Sequence, residues 1–231
     1  MQAKDVMTPN VITVTPDTEI ADIAKLLLEH HISAVPVVDP NNQILGIVSE
    51  GDLFHRPELG VKPRRHSWWL SLVAGDEEFS AEYVKTHGSH AAEVMTSPVV
   101  TVSEDTSIDE IVHLLEERRI KRVPVVRDGR LVGMVSRGDL LQGLVVHRGK
   151  PEAPPSLDDR AIREKLLKTL REEGVPDNYV NIIVTNGVVH LWGLVKSDKE
   201  RQALHVAAEN TPGVRTIEDH LGKMHPGTLA D

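Results

Sequence analysis

At 231 residues, with 40% hydrophobic content and a formal net charge of −9, the chain can form one large domain or two to three small ones with buried cores. It is too acidic for nucleic acid to be its main partner, since that requires a basic surface to neutralise phosphates. The absence of cysteine excludes a disulfide framework, a thiolate metal site and a thiol nucleophile. No apolar run approaches the roughly 20 residues of a membrane helix, and Met1 to Asp5 lacks the basic start and apolar core of a signal peptide, so the default expectation is a cytoplasmic protein.

One stretch is written twice, and internal repetition outranks any local signal. Ile32-Ser33-Ala34-Val35-Pro36-Val37-Val38, leading to Gly46-Ile47-Val48-Ser49-Glu50-Gly51-Asp52-Leu53, returns as Ile120-Lys121-Arg122-Val123-Pro124-Val125-Val126, leading to Gly133-Met134-Val135-Ser136-Arg137-Gly138-Asp139-Leu140. Upstream, Val6-Met7-Thr8 is answered by Val94-Met95-Thr96. Two copies of one unit are expected to pack as a pair.

In the first copy, the β-branched run Val11 to Val14 predicts a strand. Pro16-Asp17-Thr18 supplies turn and cap chemistry, and Ile20, Ile23, Ala24, Leu27 and His31 recur at helical spacing. Val35 to Val38 and Ile44 to Val48 predict strands joined by Asp39-Pro40-Asn41-Asn42, with a short helix from Gly51. The second copy repeats this order, with Ile108, Ile111 and Leu115 as the helix seam and Arg127-Asp128-Gly129-Arg130 as a tighter hairpin turn. Between the copies, Lys62, Arg64 and Arg65 form a small basic cluster. Trp68, Trp69, Leu72 and Val73 fall on one helical face that either packs on the copies or meets a partner.

The Pro-rich run from Gly149 to Ser156 marks a linker. Beyond it, Asp158 to Glu173 predicts an amphipathic helix with Ile162, Leu166 and Leu170 inward. Tyr179 to Thr185 and Val188 to Val195 predict strands joined through Asn186-Gly187. Ser197 to Asn210 predicts a helix capped by Ser197 with Glu200, and Val214 to His220 a last strand.

Chemistry centres on Ser49-x-x-Asp52 and Ser136-x-x-Asp139, each placed where a strand enters a helix. Amide donors and the helix dipole there favour a phosphate, serine can add a bond to it, and an aspartate can accept from both ribose hydroxyls. The same spacing is equally a capping box, and both readings stay open. His30-His31 and His87-x-x-His90 lack the rest of a metal shell. No Gly-x-Ser-x-Gly, Walker loop or paired carboxylates appear, so no enzymatic activity is expected.

With Val-Met-Thr, Val-Pro-Val-Val and Ser-x-Gly-Asp-Leu each present twice at matched spacing, residues 1 to 146 resemble a tandem pair of CBS domains, the Bateman module. Residues 157 to 222 resemble a BON domain through the Val188 to Val195 run, with Leu191, Gly193 and Val195 at alternate positions, followed by a helix and Pro212-Gly213-Val214. The expected fold is α/β (α+β): CBS domain 1 over 1–60, a helical insertion over 61–92, CBS domain 2 over 93–148, a linker over 149–156 and the BON domain over 157–223.

The resemblance implies a non-catalytic regulatory protein whose clefts bind AMP, ADP, ATP, NAD(H) or S-adenosylmethionine, with an adenine nucleotide as regulatory ligand and no cofactor required. By position, Asp52 and Asp139 would hold ribose, Ser49 and Ser136 would face phosphate, and Ile32 and Ile120 would flank adenine. Family practice joins the aspartate of one copy to the middle strand of the other. Asp52 would then meet Lys121 and Arg122 in a basic cleft, and Asp139 would meet Ser33 and Ala34 in a neutral one that Arg137 partly compensates. CBS pairs also stack two to a disc, implying a homodimer. BON domains are associated with phospholipid or envelope attachment, so the partners in view are a nucleotide, a second copy, an unidentified protein or a phospholipid. The rival expectation is a ligand-independent interaction protein in which both Ser-x-x-Asp motifs are only caps.

Overall fold

The computed structural model describes residues 1–54, 84, 87–146, 157–177 and 179–224; the Trp68 and Trp69 stretch and the 149–156 linker lie outside the described residues. In chain order the elements are α1 (Ala3–Val6), α2 (Ile20–Glu29), β1 (Ala34–Val38), β2 (Ile44–Ser49), α3 (Glu50–Phe54), α4 (Ala91–Val94), β3 (Val102–Ser103) and α5 (Ile108–Glu117). There follow β4 (Arg122–Arg127), β5 (Arg130–Ser136), α6 (Arg137–Val146), α7 (Leu157–Glu172), β6 (Val180–Thr185), β7 (Val188–Val195), α8 (Asp198–Glu209) and β8 (Thr216–Lys223). The fold is mixed α and β. It divides into two compact units: Ile12–Val99 with Gly129–Leu131, and Met1–Val11 with Val100–Asp128 and Val132–Asp231.

In the first unit, β1 and β2 pair antiparallel with Val35 opposite Val48. Ile23, Leu27, Val35, Val37, Val48 and Leu53 form its core with Ala91 and Val94. The strand expected at Val11 to Val14 shrinks to one parallel bridge between Val14 and Val37, because Pro16, two residues on, has no N–H to continue a ladder. His31, expected on the α2 seam, is exposed and ends the helix instead. Its φ of 48° lets the Ile32 N–H reach the Leu27 carbonyl at 3.0 Å and its own N–H reach Leu28 at 3.2 Å, a Schellman closure without glycine. Arg119 repeats this at φ 53°, with Ile120 N–H donating to Leu115 at 3.0 Å.

In the second unit, β3, β4 and β5 form one sheet in that order. The α1 segment packs on it: Thr8 and Met134 exchange backbone bonds at 2.9 and 3.0 Å, and the Met7 side chain lies over Gly133, where a Cβ would overlap its sulfur. Met95 lies over Gly46 in the same way inside the first unit, which gives Val-Met-Thr a packing role in each. Gly133→Ala should therefore cost about 1 to 3 kcal/mol by overpacking, read as a lowered urea midpoint.

The C-terminal module also belongs to this unit. Strands β6 and β7 pair antiparallel through Asn186 (φ 52°) and Gly187 (φ 74°), the left-handed pair of a type I′ turn. Strand β8 adds parallel to β7 after the α8 crossover. Ser197 caps α8 by accepting from Glu200 N–H at 3.1 Å, and Gly193 sits at φ 123° where a Cβ would meet the Tyr179 carbonyl. One face of the sheet closes a core on α7 and α8 with Leu166, Leu170, Leu191 and Leu204. The other face carries Ile183 into the core of Ala3, Val6, Met7, Ile111 and Leu115, so the module is packed against the second copy and not merely tethered to it.

Candidate ligand-binding site

Both Ser-x-x-Asp motifs fold back on themselves. Ser49 precedes α3, and the Asp52 carboxylate accepts from its backbone N–H at 2.9 Å and its hydroxyl at 2.7 Å. Ser136 precedes α6, and Asp139 accepts from its N–H at 2.7 Å and its hydroxyl at 2.6 Å, while the Asp139 N–H lies 3.4 Å from Ser136 Oγ. This is cap chemistry at the head of each helix. The second carboxylate oxygen is used alike in both units: Thr96 donates to Asp52 Oδ1 at 3.3 Å and Thr8 to Asp139 Oδ1 at 3.5 Å.

The middle strands start beside these motifs, since Glu50 N–H donates to the Ser33 carbonyl and Arg137 N–H to the Lys121 carbonyl, both at 3.1 Å. Ile32 and Ile120 are half-buried immediately after their left-handed turns, Ala34 is buried, Ser33 is half-buried, and Lys121 and Arg137 are exposed. Arg122 is half-buried and close enough to Asp139 for its charge to favour that carboxylate.

The two aspartates part company in their surroundings. Asp52 is half-buried at the surface, whereas Asp139 is buried because Asn181, on β6 of the C-terminal module, covers it. Asn181 Nδ2 reaches Asp139 Oδ1 at 3.0 Å, the Val6 carbonyl at 2.9 Å and Gln142 Oε1 at 2.9 Å. Burial raises the Asp139 carboxyl above its ordinary range, against the lowering effect of the Ser136 and Thr8 bonds.

Two arginines of α7 fasten the same contact. Arg160 grips Asp5 through Nε at 2.8 Å and Nη2 at 3.1 Å, and reaches Gln2 Oε1 at 3.0 Å. Arg163 is buried and donates to the carbonyls of Ile182 at 2.7 Å, Lys4 at 2.9 Å and Met7 at 2.7 Å. Burial lowers its pKa to about 10, so it remains a cation at neutral pH. Neither arginine nor Asn181 was singled out by sequence reasoning; Asn181 could have been, as a polar residue inside the apolar run from Val180 to Val184.

A twice-written strand, helix and hairpin unit closed by Ser-x-x-Asp caps is followed by a helix, hairpin, helix, strand module. The CBS domain model matches residues 3–58 and 91–146, and the BON domain model matches 158–221. The chain belongs to the tandem CBS-domain proteins and carries a C-terminal BON domain.

Among relatives, it is 30% identical over 149 residues to the chloroplastic CBS domain-containing protein CBSX2 of Arabidopsis thaliana, covering 60% of this chain and 61% of that one. It is 30% identical over 155 residues to the uncharacterised protein MJ1426 of Methanocaldococcus jannaschii, covering 63% of this chain and 92% of that one. The crystal structure of CBSX2 in complex with AMP superposes with a TM-score of 0.56 at 29% identity, covering 64% of this chain and 99% of that chain. Among the described residues, no helix is long and apolar enough to cross a membrane.

Proposed function

We propose that this chain is a non-catalytic sensor of adenosine-containing ligands, in which Asp52 holds ribose in the readily occupied cleft and the BON domain reports on the Asp139 cleft. The observation that carries the reading is the Asn181 amide bonded to Asp139, the carboxylate that would otherwise meet a ribose. A ligand entering there must displace Asn181, so its binding energy is coupled to BON docking. The AMP complex of a 29%-identical relative supports a nucleotide as ligand. Ser49 is proposed to face phosphate beside Asp52 and Ser136 to do so beside Asp139, with Ile32 and Ile120 flanking adenine.

Calorimetry and thermal shift against AMP, ADP, ATP, NADH and S-adenosylmethionine test this, because a ligand held only by the folded state raises its melting temperature. No shift with any of them at millimolar concentration ends the sensor reading. Asp52→Ala should cut affinity about ten-fold or more, through loss of a charge-assisted bond worth roughly 1.5 to 3 kcal/mol. Asn181→Ala should raise the number of ligands bound per chain by freeing Asp139.

The closed Ser49 to Asp52 bonds favour one rival, a ligand-independent protein with purely structural caps. On that reading Asp52→Ala lowers stability by about 1 kcal/mol and no nucleotide binds. For the BON domain, docking to protein is preferred over phospholipid. Residues 157 to 223 hold 10 Lys and Arg against 11 Asp and Glu, without the basic excess that anionic lipid attracts, and Ile183 and Asn181 on one sheet face are already committed to the CBS domain. Strong co-sedimentation with anionic vesicles at physiological salt reverses that preference. Leu28, Phe54, Leu141 and Leu144 are each more than half exposed, and Phe54 and Leu141 are equivalent positions of the two copies, so a second copy covering such positions in a homodimer is proposed. A monomer mass by light scattering removes the dimer.

A further inference from the structure

The parallel pairing of β7 and β8 assembles chemistry that neither strand holds alone. Its register sets His190 opposite Glu218 and Trp192 opposite His220, and the alternation of a strand puts all four side chains on one face. Glu218 Oε2 lies 3.2 Å from His190 Nδ1 and 3.6 Å from His220 Nε2, and the three donor atoms fall within 4.8 Å of one another.

A tetrahedral cation with bonds of about 2.0 to 2.2 Å spans ligand pairs roughly 3.3 to 3.5 Å apart. Two of the three edges are therefore already near metal-binding length. The third, between His190 Nδ1 and His220 Nε2, is no longer than 4.8 Å, and closing it needs a small tilt of the less buried His220 ring.

Packing brings both rings close to this arrangement. His190 is buried, and His220 is stacked on the Trp192 ring at 3.9 Å between centroids and 13° between planes. Two imidazoles and one carboxylate form a borderline donor set that suits zinc-class divalent cations over calcium or magnesium.

We propose that His190, Glu218 and His220 form a binding site for a zinc-class divalent cation, with a fourth coordination position left to water or an external ligand. The cation would cross-link the edge strand β8 to β7 and stabilise the BON domain by mass action.

The test uses the full chain after chelator treatment and desalting. Titration with zinc sulfate by calorimetry should find one ion per chain, with a rise in melting temperature, and cobalt or nickel should quench the fluorescence of Trp192 but not of a Trp192→Phe chain. His220→Ala and Glu218→Gln should each weaken zinc binding about ten-fold or more, while His113→Ala, on the exposed face of α5, should leave it unchanged. Failure to bind zinc at a hundred micromolar, or binding undiminished in both His220→Ala and Glu218→Gln, overturns the proposal.

Discussion

Arg163→Met should destabilise the full chain by about 3 to 4 kcal/mol, because two buried carbonyls and one half-buried carbonyl lose their donor at once and each orphaned group costs roughly 1 to 3 kcal/mol. The loss falls short of the full sum because removing a buried charge returns part of its desolvation cost. Arg163 lies on α7 and ties it to two separate pieces of backbone: Ile182 on β6, and Lys4 and Met7 on the segment that packs over β5. Arg163→Lys should recover little, since an ammonium is a point donor and cannot span a planar fork of three acceptors. Urea denaturation should also change shape, the BON domain separating as an earlier transition once its hold on α1 is lost. A single unchanged transition, with a midpoint shift worth under about 0.5 kcal/mol, would show that Ile183 and its apolar neighbours hold the module unaided. Arg130→Ala, at an exposed strand end, supplies the control and should be nearly neutral.

Much of this architecture is legible in the sequence because it rests on local periodicity. The BON helices and strands fall close to where Leu166, Leu170 and the Asn186-Gly187 turn put them, and repetition of Val-Met-Thr and Ser-x-Gly-Asp announces two CBS copies. What the sequence withholds is long-range polar pairing. Arg163 occurs in a helix rich in arginine and lysine, and only its position four residues before buried Leu167 hints that a second face of α7 is covered. His190 and His220 stand 30 residues apart, and only the parallel crossover through α8 brings them together. His31 shows the opposite error. Its spacing continued the α2 seam, yet backbone closure at Leu27 and Leu28 ended the helix first, because periodicity does not report where carbonyls find their partners.

Asp139→Ala should cost about 2 to 3 kcal/mol where the quasi-equivalent Asp52→Ala costs about 1 kcal/mol, although the two motifs share their sequence and their cap geometry. The difference lies in what surrounds the carboxylate. Losing Asp52 removes a cap near solvent, where water can replace it. Losing Asp139 strands the Ser136 N–H, the Thr8 hydroxyl and one bond of the Asn181 amide in a site that burial shields from solvent, where unpaired donors cost more. Burial also ties this contact to pH. The folded carboxyl titrates above its ordinary value of 3.8, so between that value and the raised one the folded chain holds a proton that the unfolded chain has released. The contribution of Asp139 to stability is therefore greatest at acid pH and falls as pH rises through its folded pKa. Asp139→Asn, which keeps the shape and cannot ionise, should lack that fall, and the stability difference between wild type and this variant should shrink from pH 4 towards pH 7. Urea midpoints for both chains across that range measure it, and a difference independent of pH would mean that Asp139 is hydrated and that Asn181 does not seal its cleft.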